Sequence, residues 1–599
     1  MTELTKSITY LKEYKLLKGA VQQGKTPVLA VGLSAIHKAH LAAALGLDTG
    51  RPVCVLTDDD AAAARFSRDL QAFAEREVLT LPARELVLAD VVGVSRGYEQ
   101  KRLAVMDALP QAAFTAMSVQ AAVQRTLPPD KLQDAVVTVA TGQTVPLETL
   151  TQQLTRAGYE RCVQVEGVGQ FSVRGGILDV FPPQAANPYR VEFWDDEVDS
   201  IASFDVGSQR RLENAETLRC LPCMETLPHL APGGAKRLAK AVRGLLSTRK
   251  KKHADLAAHI EGDAERLEET GALPAADKYL PLVYPELATA LDYLPENAIV
   301  LIEDTPRLRD ALRDFVARIA DDVTALLERG EIAPGLDGYA LDFPALCETK
   351  HTILRLDSFL NNVPELAPQH LENFIANQMN AYGGNLDMAA ADIRGYTQQG
   401  RAVAVLCGSE LRCRNMCDAL TEAGLTAAVS DLLPKGGQVC VMEGTLSAGF
   451  EYPDLGLVVI TEGQVLARRK KTQVKKSNRD RVKSFTDLTP GDLVVHEHHG
   501  IGRFVGMERM TVDGAERDFI KIAFAGTDFL YVPATSLDLI SKYIGGGEPE
   551  KVRLNKLGGA DWSRSKARAK AAAKELAEGL IKLYAERAKV KGFAFPQDD

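Results

Sequence analysis

The sequence predicts a multidomain α/β chain that closes on a small all-β barrel and a long helix. Three observations carry this expectation. At ~100–200 residues per domain, 599 residues provide for roughly three to six separate cores. Short apolar runs alternate with helical periodicity in the first half and again from Ile299, the pattern of parallel sheets flanked by helices. Beyond Leu488 closely spaced short runs with period-two alternation replace it, as in a small barrel.

The elements follow in order. Pro27–Val31 is an apolar run, and a helical stretch after it continues to Leu45 with Gly46 as its stop. Pro52–Leu56 repeats the run, and Asp58–Asp60 supply first-turn carboxylates for a helix over Ala61–Phe73. The character changes near Val145. Val173–Phe204 is strand-rich and punctuated by Gly175-Gly176, Pro182-Pro183 and Asn187-Pro188. Ala235–Thr270 is helical. Ile299–Ile302 is a strand, and Thr305 and Pro306 stand as cap and first residue of a helix with Leu308, Leu312, Phe315 and Ile319 along one face. A further α/β unit runs through a helix ending at Gly400, the strand Ala402–Leu406, a helix to Ala423 with Gly424 as its stop, and strands at Val441 and Val458–Ile460. Val494-Val495, Gly502–Val505, Ile520–Phe524 and Leu530–Val532 are short strands, with Asp513-Gly514 a hairpin turn. An Ala-rich helix, roughly Trp562–Lys589, closes the chain.

Composition narrows the class. Apolar residues make 46% and charged residues 25%, which excludes a disordered or fibrous chain. No apolar run approaches the ~20 residues of a membrane span, and Met1–Gly19 has no signal-peptide core, so a cytoplasmic location without membrane partners is expected. Nine thinly spread cysteines fit a reducing compartment, and the lone Cys220-x-x-Cys223 pair reads as packed thiols. The net charge of −9 does not suggest a nucleic-acid coat, but residues 467–483 carry nine basic residues and one acid, either a solvated linker or a nucleic-acid contact.

Motifs for catalysis are scarce. A P-loop cradles phosphate with glycine backbone, a lysine and a magnesium-binding hydroxyl. Gly32-Leu-Ser-Ala-Ile-His37-Lys38-Ala39 follows the first strand and keeps the first glycine and the lysine. His37 replaces the second glycine and Ala39 lacks the hydroxyl, so no ATP hydrolysis is expected there. His496, His498 and His499 invite a metal reading, but no complementary Cys/His cluster stands nearby; a polar strand leading into Gly500–Gly502 is expected, without metal. Asp195-Asp196-Glu197 reads as a solvated turn. Arg174 and Arg190 sit beside turn residues, with Phe193-Trp194 close behind. They fit an interaction hot spot or ion pairs with Asp179 or Glu192.

Five long segments carry a resemblance: 171–183 (FSVRGGILDVFPP), 187–210, 488–510 (LTPGDLVVHEHHGIGRFVGMERM), 524–545 and 556–595. In this order they resemble the bacterial transcription-repair coupling factors. The resemblance implies a UvrB-like α/β domain with a degenerate P-loop in 1–135 and 223–352, and a UvrA-binding domain in 136–222. It further implies an α/β domain of unclear role in 353–466, a basic linker in 467–484, a CarD-like, SH3/Tudor-like barrel that grips the RNA polymerase β subunit in 485–548, and a linker helix in 549–599. UvrA contacts carry over to Arg174, Arg190, Phe193 and Trp194, the last replacing the family's phenylalanine. Polymerase contacts carry over to the strand Arg503–Thr511, with Arg503, Phe504, Arg509, Met510 and Thr511; Met510 is read either as the family's apolar contact or as barrel core.

The family's ATP-driven DNA translocase follows the closing helix on motor domains that the sequence to Asp599 does not include. The resemblance therefore implies a truncated or partial chain holding the recruitment modules, with ATP, magnesium and most double-stranded DNA contact belonging to the motor. A UvrB-type excision ATPase is disfavoured by His37, Ala39 and the aromatic-poor stretch Leu81–Tyr98; a CarD-like regulator leaves Arg174–Phe204 unexplained.

Overall fold

The computed structural model describes residues 2–88, 96–246, 254–273, 275–379, 381–465, 488–497, 499–512, 515–526, 528–533, 539–543 and 552–557, together with Trp562, Arg564 and Arg568. The basic run 467–483, His498, the Asp513-Gly514 turn and nearly all of the expected closing helix lie outside the described residues.

The first apolar runs form a seven-stranded sheet in the order His370–Asn373, Val28–Val31, Thr352–Leu356, Ile299–Glu303, Val53–Thr57, Phe114–Ser118, Leu79–Leu81. Every pairing in it is parallel. Helices cover both faces, so the central strands are buried throughout and read as continuous apolar runs. The sheet continues across residue 353, taking in Thr352–Leu356 and His370–Asn373.

Two helix boundaries differ from expectation. The helix after the first strand runs Ala35–Thr49 and stops at Gly50, which takes the left-handed conformation at φ 66°. Gly46 lies inside it, because the helix approaches Phe114 so closely that a Cβ there would meet the ring 2.5 Å away. In the helix Thr305–Arg329, the cap position falls to Asp304 at φ 55°. Thr305 instead donates its backbone N–H and hydroxyl to Asp357 Oδ1 at 2.8 and 2.7 Å. Asp59 caps Asp60–Ala74 by accepting from the Ala62 N–H at 2.6 Å.

A second α/β layer has six strands in the order Asn377–Gln378, Phe450–Tyr452, Leu457–Thr461, Ala402–Cys407, Val439–Glu443, Ala427–Val429. Gly400 and Gly424 end its helices at φ 76° and 80°. Its Ala404, Phe450 and Tyr452 share one buried cluster with Ile36, Phe73 and Leu354 of the first layer, so the two are packed as neighbours.

The strand-rich region forms a six-stranded sheet in the order Arg211–Ala215, Glu197–Phe204, Tyr189–Trp194, Ile177–Val180, Gln170–Arg174, Glu160–Arg161. The helix Leu147–Arg156 buries Leu150 and Leu154 in a core with Phe171, Leu178, Val191 and Ile201 from one face of that sheet. The other face carries the polar residues.

The last described unit is a five-stranded antiparallel sheet, ordered Phe529–Pro533, Ala515–Ala523, Gly500–Val512, Leu493–His496, Ile540–Lys542. Ile520, Ile522 and Phe524 alternate onto one buried face with Phe504 and Val494. Among the described residues no helix is long and apolar enough to cross a membrane.

Candidate interaction surfaces

The outer face of the six-stranded sheet is built by register. Ser172, Asp179, Arg190 and Ala202 stand opposite one another in one cross-strand row; Arg174, Ile177, Glu192 and Ser200 form the next. Since side chains alternate across a strand, Arg190, Glu192 and Trp194 share this face, while Val191 and Phe193 turn to the core.

Asp179 is the anchor of the patch. Its carboxylate is buried, at 1% exposure, and accepts from Arg190 Nε and Nη2 at 2.7 and 2.8 Å and from Arg174 Nη2 at 2.7 Å. Such a two-pronged guanidinium–carboxylate pair fixes both distance and plane. The Arg190 guanidinium also lies 4.7 Å from the centroid of Phe204 and donates to Gln209 Oε1 at 3.3 Å. Hydrogen bonding to Asp179 raises the Arg190 pKa, so the charge is permanent. Of the two partners the sequence allowed, Asp179 takes both arginines; Glu192 accepts from Ser200 Oγ at 2.7 Å and pairs with Arg211.

Trp194 projects beside this pair with 81% of its surface exposed. Asp195, at φ 55°, and Asp196 form an exposed turn immediately after it, and exposed Glu197 opens the next strand opposite Trp194. Thus Arg174, Arg190 and Trp194 come together on one face. Phe193 does not: it is half-buried beneath, its backbone N–H held by the Gly176 carbonyl at 2.8 Å. Phe204 and Gln209, which orient Arg190, carried no signal in the sequence.

The strand Gly500–Val512 presents a second surface. Its ladder with Leu493–His496 ends at Arg503, closed by bonds between Phe504 and the backbone of Gly491 and Asp492. From Val505 onward, among the described residues, only the Ala515–Ala523 side is paired, leaving one backbone edge open. A register shift between Phe504 and Gly506 bends the strand there. Phe504 is buried in the core, and Arg503 donates to the Gly491 carbonyl at 3.2 Å. Arg509 is exposed, and half-buried Met510 falls on the face opposite Met507, which packs against the core. Thr511 stands opposite Glu516.

The degenerate P-loop is filled by protein. A Cβ at Gly32 would run into the Phe374 carbonyl. His37 is wholly buried, takes a 2.7 Å hydrogen bond with Ser34, and packs edge-on against Phe450 and Tyr452 at 5.4 and 5.0 Å between centroids. Burial lowers its pKa to about 3. Lys38 is buried and 3.9 Å from Glu303; burial lowers the lysine pKa and raises that of the glutamate. Ala39 is also wholly buried. Of the positions that would face phosphate, His37 therefore packs onto the second α/β layer, while Gly32 and Lys38 are taken up by residues of the first.

Cys220 and Cys223 are buried free thiols, and burial pushes Cys220 up to about 12, as expected for packing residues.

Residues 137–225 match the family described as the UvrB interaction domain, and residues 488–544 match the CarD-like/TRCF RID domain. The chain is 33% identical over 610 residues to a transcription-repair-coupling factor of Bacillus subtilis (strain 168), covering 98% of this chain and 51% of that protein. Against the protein of the same name from Staphylococcus epidermidis, strain RP62A, identity is 30%, covering 96% and 50%. For the one from Staphylococcus aureus (strain MRSA252) it is 28%, covering 100% and 52%. The chain spans about half the length of the curated relatives it matches.

Proposed function

We propose that this chain, similar over nearly its whole length to the transcription-repair-coupling factors, joins RNA polymerase to the excision-repair protein UvrA. The outer face around Asp179 docks UvrA. The observation that carries this reading is the placement of Arg174, Arg190 and exposed Trp194 on one face of the module matching the UvrB interaction domain. Rigid, pre-paired arginine beside an aromatic is the composition of a binding hot spot.

The five-stranded sheet docks the polymerase β subunit. An open strand edge from Val505 recruits a partner strand through backbone hydrogen bonds, with Arg509 and Met510 supplying selectivity. In this reading the sheet curls into an SH3/Tudor-like barrel within 485–548. Segments 1–135 and 223–373 form the α/β scaffold, whose sheet takes in Thr352–Leu356 and His370–Asn373, 136–222 the UvrA module and 377–465 a packing partner.

The filled P-loop supports an adaptor with no ATP or magnesium of its own in these segments. ATP-driven movement along double-stranded DNA belongs to the family's motor.

Arg190→Ala tests the assignment. UvrA binding measured by calorimetry should weaken at least tenfold while binding to the isolated polymerase β subunit is unchanged. Loss of both, or of neither, sinks it.

A further inference from the structure

The sequence supplied His496, His498 and His499 within H-E-H-H and no complementary ligand nearby; His498 lies outside the described residues, and the fold brings the other two a third ligand from 330 residues upstream. Glu166 lies in the loop before Gln170–Arg174, fixed by its own N–H and that of Gly167, which donate to Gln170 Oε1 at 2.8 and 3.0 Å. His496 ends the strand Leu493–His496 and is wholly buried; His499 sits in the following turn. His499 Nε2 is 2.5 Å from Glu166 Oε1, His496 Nε2 is 3.5 Å from Glu166 Oε2, and the ligand atoms all lie within 4.8 Å of one another.

We propose that Glu166, His496 and His499 form a zinc-type metal site that clasps the sheet carrying Asp179 to the five-stranded sheet. Two imidazoles and a carboxylate are the donor set that borderline metals of the zinc class prefer. Tetrahedral zinc, with bonds of ~2.0–2.1 Å, holds its ligands about 3.3 Å apart, so these atoms need only small rotations. His496 is buried, whereas Glu166 and His499 are partly open to solvent, which leaves water as the fourth ligand.

The two rings lie 4.8 Å apart, so both Nε2 atoms can reach one divalent ion placed against the Glu166 carboxylate. Apolar packing aligns the same two units: Leu539 meets the Gly167 position at 3.6 Å. The clasp would fix the two docking surfaces relative to each other, but the metal site itself rests on these side chains alone.

The test uses the whole chain, untagged and stripped of metal. Titration with zinc ion against a chromophoric chelator should give one tight site per chain. Glu166→Gln and His499→Ala, both at partly exposed positions, should each weaken it more than ~100-fold. Cobalt(II) should show a tetrahedral visible spectrum without thiolate charge transfer, unchanged in Cys220→Ser/Cys223→Ser. Absence of a tight site in the parent, or parent-like affinity in either ligand variant, overturns the proposal. So does a thiolate band lost with the cysteines. Hydrogen exchange around 165–168 and 539–541 should slow when zinc is added; no change would overturn the clasp.

Discussion

Asp179 receives two hydrogen bonds from the Arg190 guanidinium, at 2.7 and 2.8 Å, and is itself almost wholly buried. A buried carboxylate that is fully paired orients an arginine at the surface without leaving a charge unsatisfied. The same carboxylate steadies Arg174, so the patch depends on one residue that a partner need not touch.

Asp179→Ala should therefore impair docking through geometry. Both guanidinium groups lose their plane, and UvrA affinity should fall by at least as much as in Arg190→Ala. A stability loss of about 1–3 kcal/mol accompanies removal of a buried hydrogen-bonded group. Urea unfolding and calorimetry measure the two effects; unchanged UvrA affinity would count against the anchor role.

Trp194→Ala separates binding from folding. The side chain is 81% exposed, so stability should change by no more than ~0.5 kcal/mol. A hot-spot aromatic costs on the order of 2 kcal/mol in affinity when truncated, about thirtyfold. UvrA binding that survives within twofold would remove Trp194 from the surface.

Met510→Asp addresses the second surface. The residue lies opposite the core-facing Met507, so the change should leave the sheet folded and weaken polymerase β-subunit binding at least tenfold. Circular dichroism and a binding titration check this. Loss of the sheet itself would return Met510 to the core.

His37 and wholly buried His40, whose Nδ1 lies 3.3 Å from the Tyr452 hydroxyl, join the two α/β layers, and this junction should be sensitive to acid. Burial lowers both pKa values to about 3, against ~6.5 in an unfolded chain. The unfolded chain binds these protons first, so their contribution is complete above about pH 6.5 and declines as pH falls toward 3. The slope is up to about 1.4 kcal/mol per pH unit for each residue. Urea midpoints at pH 7 and pH 5 should differ less in His37→Leu than in the parent; equal differences refute the assignment.

Gly46→Val should strain the first layer. Its Cβ would stand 2.5 Å from Phe114 Cε1 and 3.1 Å from Val53 Cγ2, both in buried strands. Overpacking of this kind costs about 1–3 kcal/mol. A thermal transition at or above that of the parent would show that the helix can shift.

Local sequence determined much of this protein. Apolar runs such as Val53–Thr57 and Ala402–Cys407, and the glycines at 400 and 424, fixed strands and helix ends because period, propensity and left-handed φ act within a few residues. The long segments carried the resemblance, and Arg174, Arg190 and Trp194 of the proposed docking surface lay within two of them. What only the tertiary structure decided depends on residues distant in the chain. Gly46 looked like a helix stop, but proximity to Phe114 makes it a packing residue. Asp179 and Glu192 were equivalent as partners until strand register set Asp179 opposite Arg190. His496 and His499 lacked a third ligand until folding placed Glu166 against them. Pairings like these follow from which surfaces the packed core leaves adjacent, and no local pattern encodes that.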